Sequence, residues 1–281
     1  MGFHRFEELT WPEVSALDRD RTILFLPVSP IEEHGPHLPL GTDFFAARDI
    51  AEAACGMVLE KDPDLEVVLM PVIPLGCCGI TADFPGTVSL RGTTMAGVVA
   101  DVCSSLAKYG FRYIVVSNHH LDPVHVKALL TGIEDVESRY DVRIIETAGR
   151  IVYAGMETRE AGMIRGMGLD PQKEVHADVR ETAFVSVHYP SLLRAEGEEI
   201  PPVKIDVEKG MREGLKTFRA MGAEQGYLGS PSMAIRELGR LHLEEGAGLT
   251  ADLALRLIRG EALPEINDRM KHALDKHIRL D

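Results

Sequence analysis

Tryptophan occurs once in this 281-residue chain, at Trp11, and cysteine four times, at Cys55, Cys77, Cys78 and Cys103. The cysteines form no CxxC pair and no disulfide framework, which excludes a small stapled scaffold and fits a reducing cytoplasm. Long apolar runs are missing as well, since nothing approaches the roughly 18 consecutive apolar residues that cross a bilayer. The opening residues 1–8 carry acidic side chains and no sustained apolar core, so no secretory leader is expected, and Phe6 spoils a myristoylation match. Positive charge is scarce: 30 Lys and Arg stand against 44 Asp and Glu, a net charge of −14. That balance disfavours nucleic acid and anionic membranes as partners. The chain has no GxSxG elbow, no HExxH and no dinucleotide-binding glycine pattern. The segment 210–217 fails as a phosphate loop because Leu215 stands where the second glycine must precede the lysine.

What is present is enough apolar residue, 45% of the chain, to bury a sizeable core. It is distributed as short apolar runs alternating with segments of helical period. Strands are expected at 22–28, 66–73, 113–117 and 142–146. Helices are expected at 44–59, 94–109, 123–139, 179–187, 207–220, 235–259 and 264–280, with a break near Gly246 and Gly248. This alternation predicts an α/β fold of three layers, α/β/α, around a mostly parallel central sheet. Neither the acidic 196–199 nor Pro201-Pro202, which mark a surface loop, divides the chain convincingly, so residues 1–281 are expected to form one domain.

Chemistry concentrates in one segment, Pro30-Ile31-Glu32-Glu33-His34-Gly35-Pro36-His37-Leu38-Pro39-Leu40-Gly41-Thr42-Asp43, directly after the first strong apolar run. Crowded carboxylates and imidazoles are costly to desolvate unless something pairs with them, and a divalent cation matches Glu, His and Asp together. A second concentration, Asn118-His119-His120-Leu121-Asp122, follows the run at 113–117. Glu32 and His34 are two residues apart, as are His120 and Asp122. In extended chain that spacing turns both members of a pair to one side, where each pair can clamp an ion. Asp43, at a helix start, can bridge two ions. The donor set suits zinc or manganese, and iron as a third choice. Taken singly, each residue also has a structural role, and Asp43 could simply cap its helix. Two such pairs, both at strand ends, make the metal reading the stronger one. Asp178 with Glu181 three residues on reads as a helix cap, which leaves His176 unexplained at the helix mouth. Glu181 is kept as a catalytic candidate, either supporting the ligands or joining them. His37, His119 and Leu121 are candidate substrate contacts. His125, His188, His242, His272 and His277 carry no functional expectation.

These blocks, with Phe84-Pro85-Gly86-Thr87, His176-Ala177-Asp178-Val179-Arg180-Glu181-Thr182 and Gly226-Tyr227-Leu228-Gly229-Ser230-Pro231, resemble the creatininase (creatinine amidohydrolase) family. The resemblance implies one metal held by Glu32, Asp43 and His120 and a second held by His34, Asp43 and Asp122, with His176 contacting substrate and moving a proton. It also implies a homo-oligomer, a hexamer in the family. Three features depart from the pattern. Asp122 stands where creatininase has Glu, no histidine shortly precedes Phe84, and the pocket tryptophans are missing. Flat rings suit a planar heterocycle, so their loss argues against creatinine as substrate. The expected activity is a dinuclear metal-dependent hydrolase, in which a metal-bridged hydroxide attacks the carbonyl of a small cyclic amide or related C–N compound. Two alternatives stand beside it: ring-opening C–C hydrolysis of a cyclitol-derived ketone, and a non-catalytic binding module braced by metal.

Overall fold

Alternation along the strands decides the layers. In β2 (Thr22–Pro27), Leu24 and Leu26 enter one apolar cluster with Val68, Ile114, Val116 and Ile144, while Ile23 and Phe25 enter another with Val67, Leu69, Val115 and Ile145. Side chains alternate with period two, so a strand apolar at every position must be covered on both faces. The sheet in this computed structural model, which describes residues 2–194 and 200–281, runs β1-β3-β2-β4-β5 with every neighbouring pair parallel. The other strands are β1 (His4–Arg5), β3 (Glu66–Leu69), β4 (Tyr113–Ser117) and β5 (Arg143–Glu146). The helices are α1 (Trp11–Ala16), α2 (Thr42–Lys61), α3 (Gly92–Lys108), α4 (Pro123–Arg139), α5 (Thr147–Val152), α6 (Arg159–Gly166), α7 (Val179–His188), α8 (Val207–Arg212), α9 (Arg236–Arg259) and α10 (Asp268–Lys276). Helices α3 and α4 cover one face of the sheet and α2 and α9 the other. The expected three-layer α/β/α arrangement is what the chain adopts, with the sheet wholly parallel.

Several boundaries differ from expectation, each for a local reason. Strand β3 stops at Leu69 because Pro71 and Pro74 remove amide donors from the ladder, although an isolated bridge still joins Val28 to Ile73. Helix α9 runs unbroken through Gly246 and Gly248. A Cβ on Gly246 would lie 3.0 Å from Ile50 Cδ1, so this glycine admits close packing of α9 on α2 and does not mark a break. Helix α8 ends at Arg212 and not near 220, since it is polar nearly all round and buries only Gly210. Helix α10 begins only after Asn267, whose side chain accepts from the Met270 amide. The acidic loop at 196–199 lies outside the described residues. Among the described residues no helix is long and apolar enough to cross a membrane.

The topology positions the chemistry. Strands β2 and β4 are neighbours, with Pro27 opposite Ser117, so the segments that follow them emerge side by side at the carboxyl edge of the sheet. That edge is where parallel α/β sheets gather ligands.

Candidate metal centre

Asp43 stands in the first turn of α2, and its Oδ2 lies 3.1 Å from His120 Nδ1 and 3.6 Å from His34 Nε2. Both rings are held in one tautomer by backbone carbonyls. His34 Nδ1 donates to the Glu32 carbonyl at 3.0 Å, and His120 Nε2 donates to the Cys77 carbonyl at 2.9 Å. The opposite nitrogen of each ring is thereby turned toward Asp43, as a ligating histidine requires. Glu32 Oε2 lies 2.9 Å from His120 Nδ1, while its Oε1 accepts from the Thr81 hydroxyl at 2.5 Å. Asn118 locks the strand end: its Oδ1 accepts from the His120 amide at 2.9 Å and its Nδ2 donates to the His120 carbonyl at 2.7 Å. Glu32, His34, Asp43 and His120 therefore converge, from two strand ends and one helix start.

Helix α7 brings the next group. The His176 ring lies against His34 with centroids 4.5 Å apart and planes tilted by 40°, and it donates from Nε2 to the Glu33 carbonyl at 2.9 Å. Ala177 is the sole described non-glycine residue with a left-handed backbone, at φ 46°. That turn aims its amide at Glu181 Oε2, 2.6 Å away, and leaves the same carboxylate oxygen 3.8 Å from His34 Nε2. Asp178 caps α7 by accepting from the Arg180 and Glu181 amides, as its position predicts. Gly226 matters for space, because a Cβ there would fall 2.1 Å from Glu33 Oε2 at a φ of +78°. The glycine lets the second loop close over Glu33, whose own amide donates to Thr87 Oγ1 of the Phe-Pro-Gly-Thr turn at 3.1 Å.

Two predicted residues are placed elsewhere. The Asp122 carboxylate accepts from the Val124 amide at 2.7 Å and caps α4, and it is not among the groups whose donor atoms converge. Leu121 packs in the cluster of Val126, Tyr153, Ile266 and Leu274, with its carbonyl accepting from the Tyr153 hydroxyl. His37 is buried, with Nε2 2.9 Å from Thr182 Oγ1. Burial, helped by the nearby His34 charge, lowers its pKa to about 4 and keeps the ring neutral. His119 lies beside the centre, with Nδ1 2.7 Å from Asp43 Oδ1.

Sequence reading missed what stands behind His119. Its Nε2 lies 2.8 Å from His242 Nε2 on α9, and His242 Nδ1 lies 2.6 Å from Glu160 Oε2 on α6. Both carboxylates accept from an Nδ1–H, so one further proton must sit between the facing Nε2 atoms. Asp43 Oδ1 is thus held by a chain of groups far apart in sequence, leaving Oδ2 to face both His34 and His120. No local pattern could have linked residues 119, 160 and 242; only the packing of α9 across the sheet does so.

The donors fit a cation. Glu32 Oε2 and His34 Nε2 are buried without a hydrogen-bond partner. Burial opposes every charge here, yet the opposite charges outweigh it. His120 and His176 bring Glu32 down to about 2, and His34, His119 and His120 hold Asp43 well below the usual carboxylate range. In return Asp43 and Glu181 carry His34 up to about 10, and Glu32 carries His120 well above its ordinary value. Among the described residues no lysine or arginine forms an ion pair with Glu32, Asp43 or Glu181. Protons on the histidines are then the balancing charge these side chains supply, and a divalent cation is the alternative. Three donor groups lie close enough to share an ion: Glu32, His34 and His176; Glu32, Cys78 and His120; and His34, Asp43 and Glu181.

A wholly parallel α/β/α sheet carrying such a carboxylate and imidazole cluster at its carboxyl edge defines an α/β protein with a candidate metal centre. The family profile described as Creatininase: Creatinine amidohydrolase matches residues 7–254, and the chain belongs to the creatininase family. The creatinine amidohydrolase of Pseudomonas putida is 34% identical over 121 residues, a stretch covering 41% of this chain and 44% of that protein, less than half its length. The mycofactocin precursor peptide peptidase of Mycobacterium tuberculosis (strain ATCC 25618 / H37Rv) is 26% identical over 233 residues, 77% of this chain and 78% of that protein. Among solved structures, a manganese form of creatininase superposes with a TM-score of 0.72 at 26% identity, covering 90% of this chain and 98% of that one. A creatininase variant of Zn-Zn type superposes equally well, with a TM-score of 0.72 at 26% identity over 91% of this chain and 98% of that one.

Proposed function

We propose that this protein is a dinuclear metal-dependent amidohydrolase acting on a C–N bond in a small amide other than creatinine. The observation that carries this reading is Asp43 Oδ2, facing His120 Nδ1 at 3.1 Å and His34 Nε2 at 3.6 Å, with both tautomers fixed by carbonyls. Glu32, Asp43 and His120 would hold one cation, and His34, Asp43 and Glu181 the other, zinc or manganese in each case. Bound there, the pair supplies Lewis acidity toward a substrate carbonyl and a water acidic enough to react near neutral pH. His176, with Nε2 committed to the Glu33 carbonyl, has Nδ1 free to hand a proton to the leaving nitrogen. Glu33 holds that ring in place through its carbonyl and, at 3.5 Å, through Oε1. Trp11 is 81% exposed on α1, so the chain's one indole offers no stacking wall for creatinine. Two relatives named as an amidohydrolase and a peptidase favour C–N chemistry.

The test is metal analysis of the purified protein alongside turnover of cyclic amides, formamides, short peptides and cyclitol ketones. Two ions per chain and chelator-sensitive amide hydrolysis are expected. A protein that binds no divalent ion ends the reading, and turnover confined to ketones moves the reaction to a C–C bond.

Metal affinity should depend on pH with a definite sign. Without a cation, His34 holds its proton up to about pH 10, and the Glu32 carboxylate lets His120 hold its own well above the ordinary histidine range. Each ion must displace at least one such proton, so affinity falls as pH falls, by about tenfold or more per pH unit for each ion between pH 6 and 8. Competition with a chelator at several pH values measures this, and a flat profile rejects it.

The chain of groups behind Asp43 gives another expectation. Replacing His242 by Ala strips His119 Nε2 of its partner and frees Asp43 to rotate. Metal affinity should drop by roughly 10- to 100-fold, read by chelator competition, with the circular dichroism spectrum unchanged.

A further inference from the structure

The four cysteines do not have the same surroundings. Cys77 and Cys103 pack in the apolar cluster beneath α3 and α4, and Cys55 packs in the cluster beneath α2 and α9. Cys78 is fully buried and belongs to none of the apolar clusters. Its Sγ and the donor atoms of Glu32 and His120 instead lie within 4.8 Å of one another.

The segment carrying Cys78 is tied to the centre at several points. The Cys78 amide donates to Ser89 Oγ at 2.8 Å, and the Cys77 carbonyl receives the His120 Nε2 hydrogen at 2.9 Å. Thr81, three residues on, donates its hydroxyl to Glu32 Oε1. The one Glu32 oxygen left free, Oε2, is buried and without a hydrogen bond, and it faces the same corner as His120 Nδ1. A thiol beside an orphaned carboxylate oxygen and an imidazole nitrogen is a donor set.

We propose that Cys78 is a thiolate ligand of the first cation, together with Glu32 and His120, and that it makes this position select zinc over manganese. The proposal rests on the reading of the centre as dinuclear and adds the identity of one ion. On binding, the thiol loses its proton to solvent and Sγ donates a lone pair to the metal; no oxidation is involved. Thiolate is a soft ligand and favours zinc, whereas an all-oxygen and nitrogen site such as His34, Asp43 and Glu181 accepts manganese readily. The two positions therefore differ in preference, and a mixed zinc and manganese enzyme is the form expected when both ions are supplied.

Cobalt(II) replacing the native ions tests this without any activity assay. The wild-type protein loaded with cobalt should show a thiolate-to-cobalt charge-transfer band in the near ultraviolet, retained in Cys77→Ser and lost in Cys78→Ser. In equilibrium competition, the zinc-over-manganese preference at one of the two positions should fall by roughly tenfold or more in Cys78→Ser. Two bound cobalt ions with no such band, or a band that survives Cys78→Ser, overturns the proposal and leaves the dinuclear reading standing. Absence of any bound cobalt overturns both. Should Cys78→Ser fail to fold, X-ray absorption at the zinc edge of the wild-type and Cys77→Ser proteins decides. A sulfur shell at about 2.3 Å in both is expected, and a shell of nitrogen and oxygen alone in either rejects Cys78 as a ligand.

Discussion

Asp43→Asn should reduce turnover by on the order of a thousandfold or more while leaving the fold in place. The carboxylate is used on both sides: Oδ1 accepts from His119 Nδ1 at 2.7 Å, and Oδ2 faces His34 and His120. A carboxamide can satisfy only one side. With its nitrogen toward His34 and His120 it offers no lone pair to a cation, and with its nitrogen toward His119 it sets donor against donor. Helix α2 has many other buried anchors, among them Ala46, Ala47, Ile50, Ala51, Ala54 and Val58, so it does not depend on this side chain. The measurement is kcat beside thermal unfolding and metal stoichiometry on the same preparation. Loss of turnover with a normal unfolding transition supports catalysis. Unfolding, with full specific activity in the fraction that remains folded, supports a metal that merely braces loops.

How far the sequence disclosed this centre depends on the kind of signal each residue carries. Glu32, His34, Asp43 and His120 were legible because they lie in two short segments directly after apolar runs, and parallel sheets bring such segments together. The same logic disclosed the central strands, whose unbroken apolar runs leave no face for solvent. Strand β1, at the sheet edge, is only two residues long and has no period to detect.

Spacing misled where local geometry had another use for the residue. The i, i+2 arrangement suggested that each strand end would clamp its own ion. The structure brings Glu32 and His34 within reach of one ion together with His176, and it also pairs donors across elements, Glu32 with His120 and His34 with Glu181. Asp122 precedes Pro123, and an Asp at the cap position followed by Pro in the first helical position is a helix-start signal, which takes the carboxylate for the Val124 amide. Leu121, beside it, turns into the apolar cluster under Tyr153. His242, Glu160 and Cys78 were silent for a different reason. Their neighbours in space come from other helices and loops, and nothing within a few residues of any of them records that contact.

Glu181→Gln and Asp122→Asn should therefore part company. Glutamine at 181 keeps an oxygen for the Ala177 amide but loses the charge that faces His34 Nε2 at 3.8 Å. Stoichiometry should fall from two ions to one, and turnover by roughly a hundredfold or more. Asparagine at 122 remains a good helix cap, so α4 keeps its first turn and both ions should stay bound. Elemental analysis of the two variants, dialysed side by side against the same zinc concentration, separates the assignments. If Asp122→Asn loses an ion and Glu181→Gln keeps both, the second cation belongs to Asp122, and that carboxylate must leave its cap to reach it. Such a swing would release the Val124 amide and loosen the start of α4. The cost is about 1 kcal/mol of helix stability that metal binding would have to offset, and it would show as a second ion markedly weaker than the first.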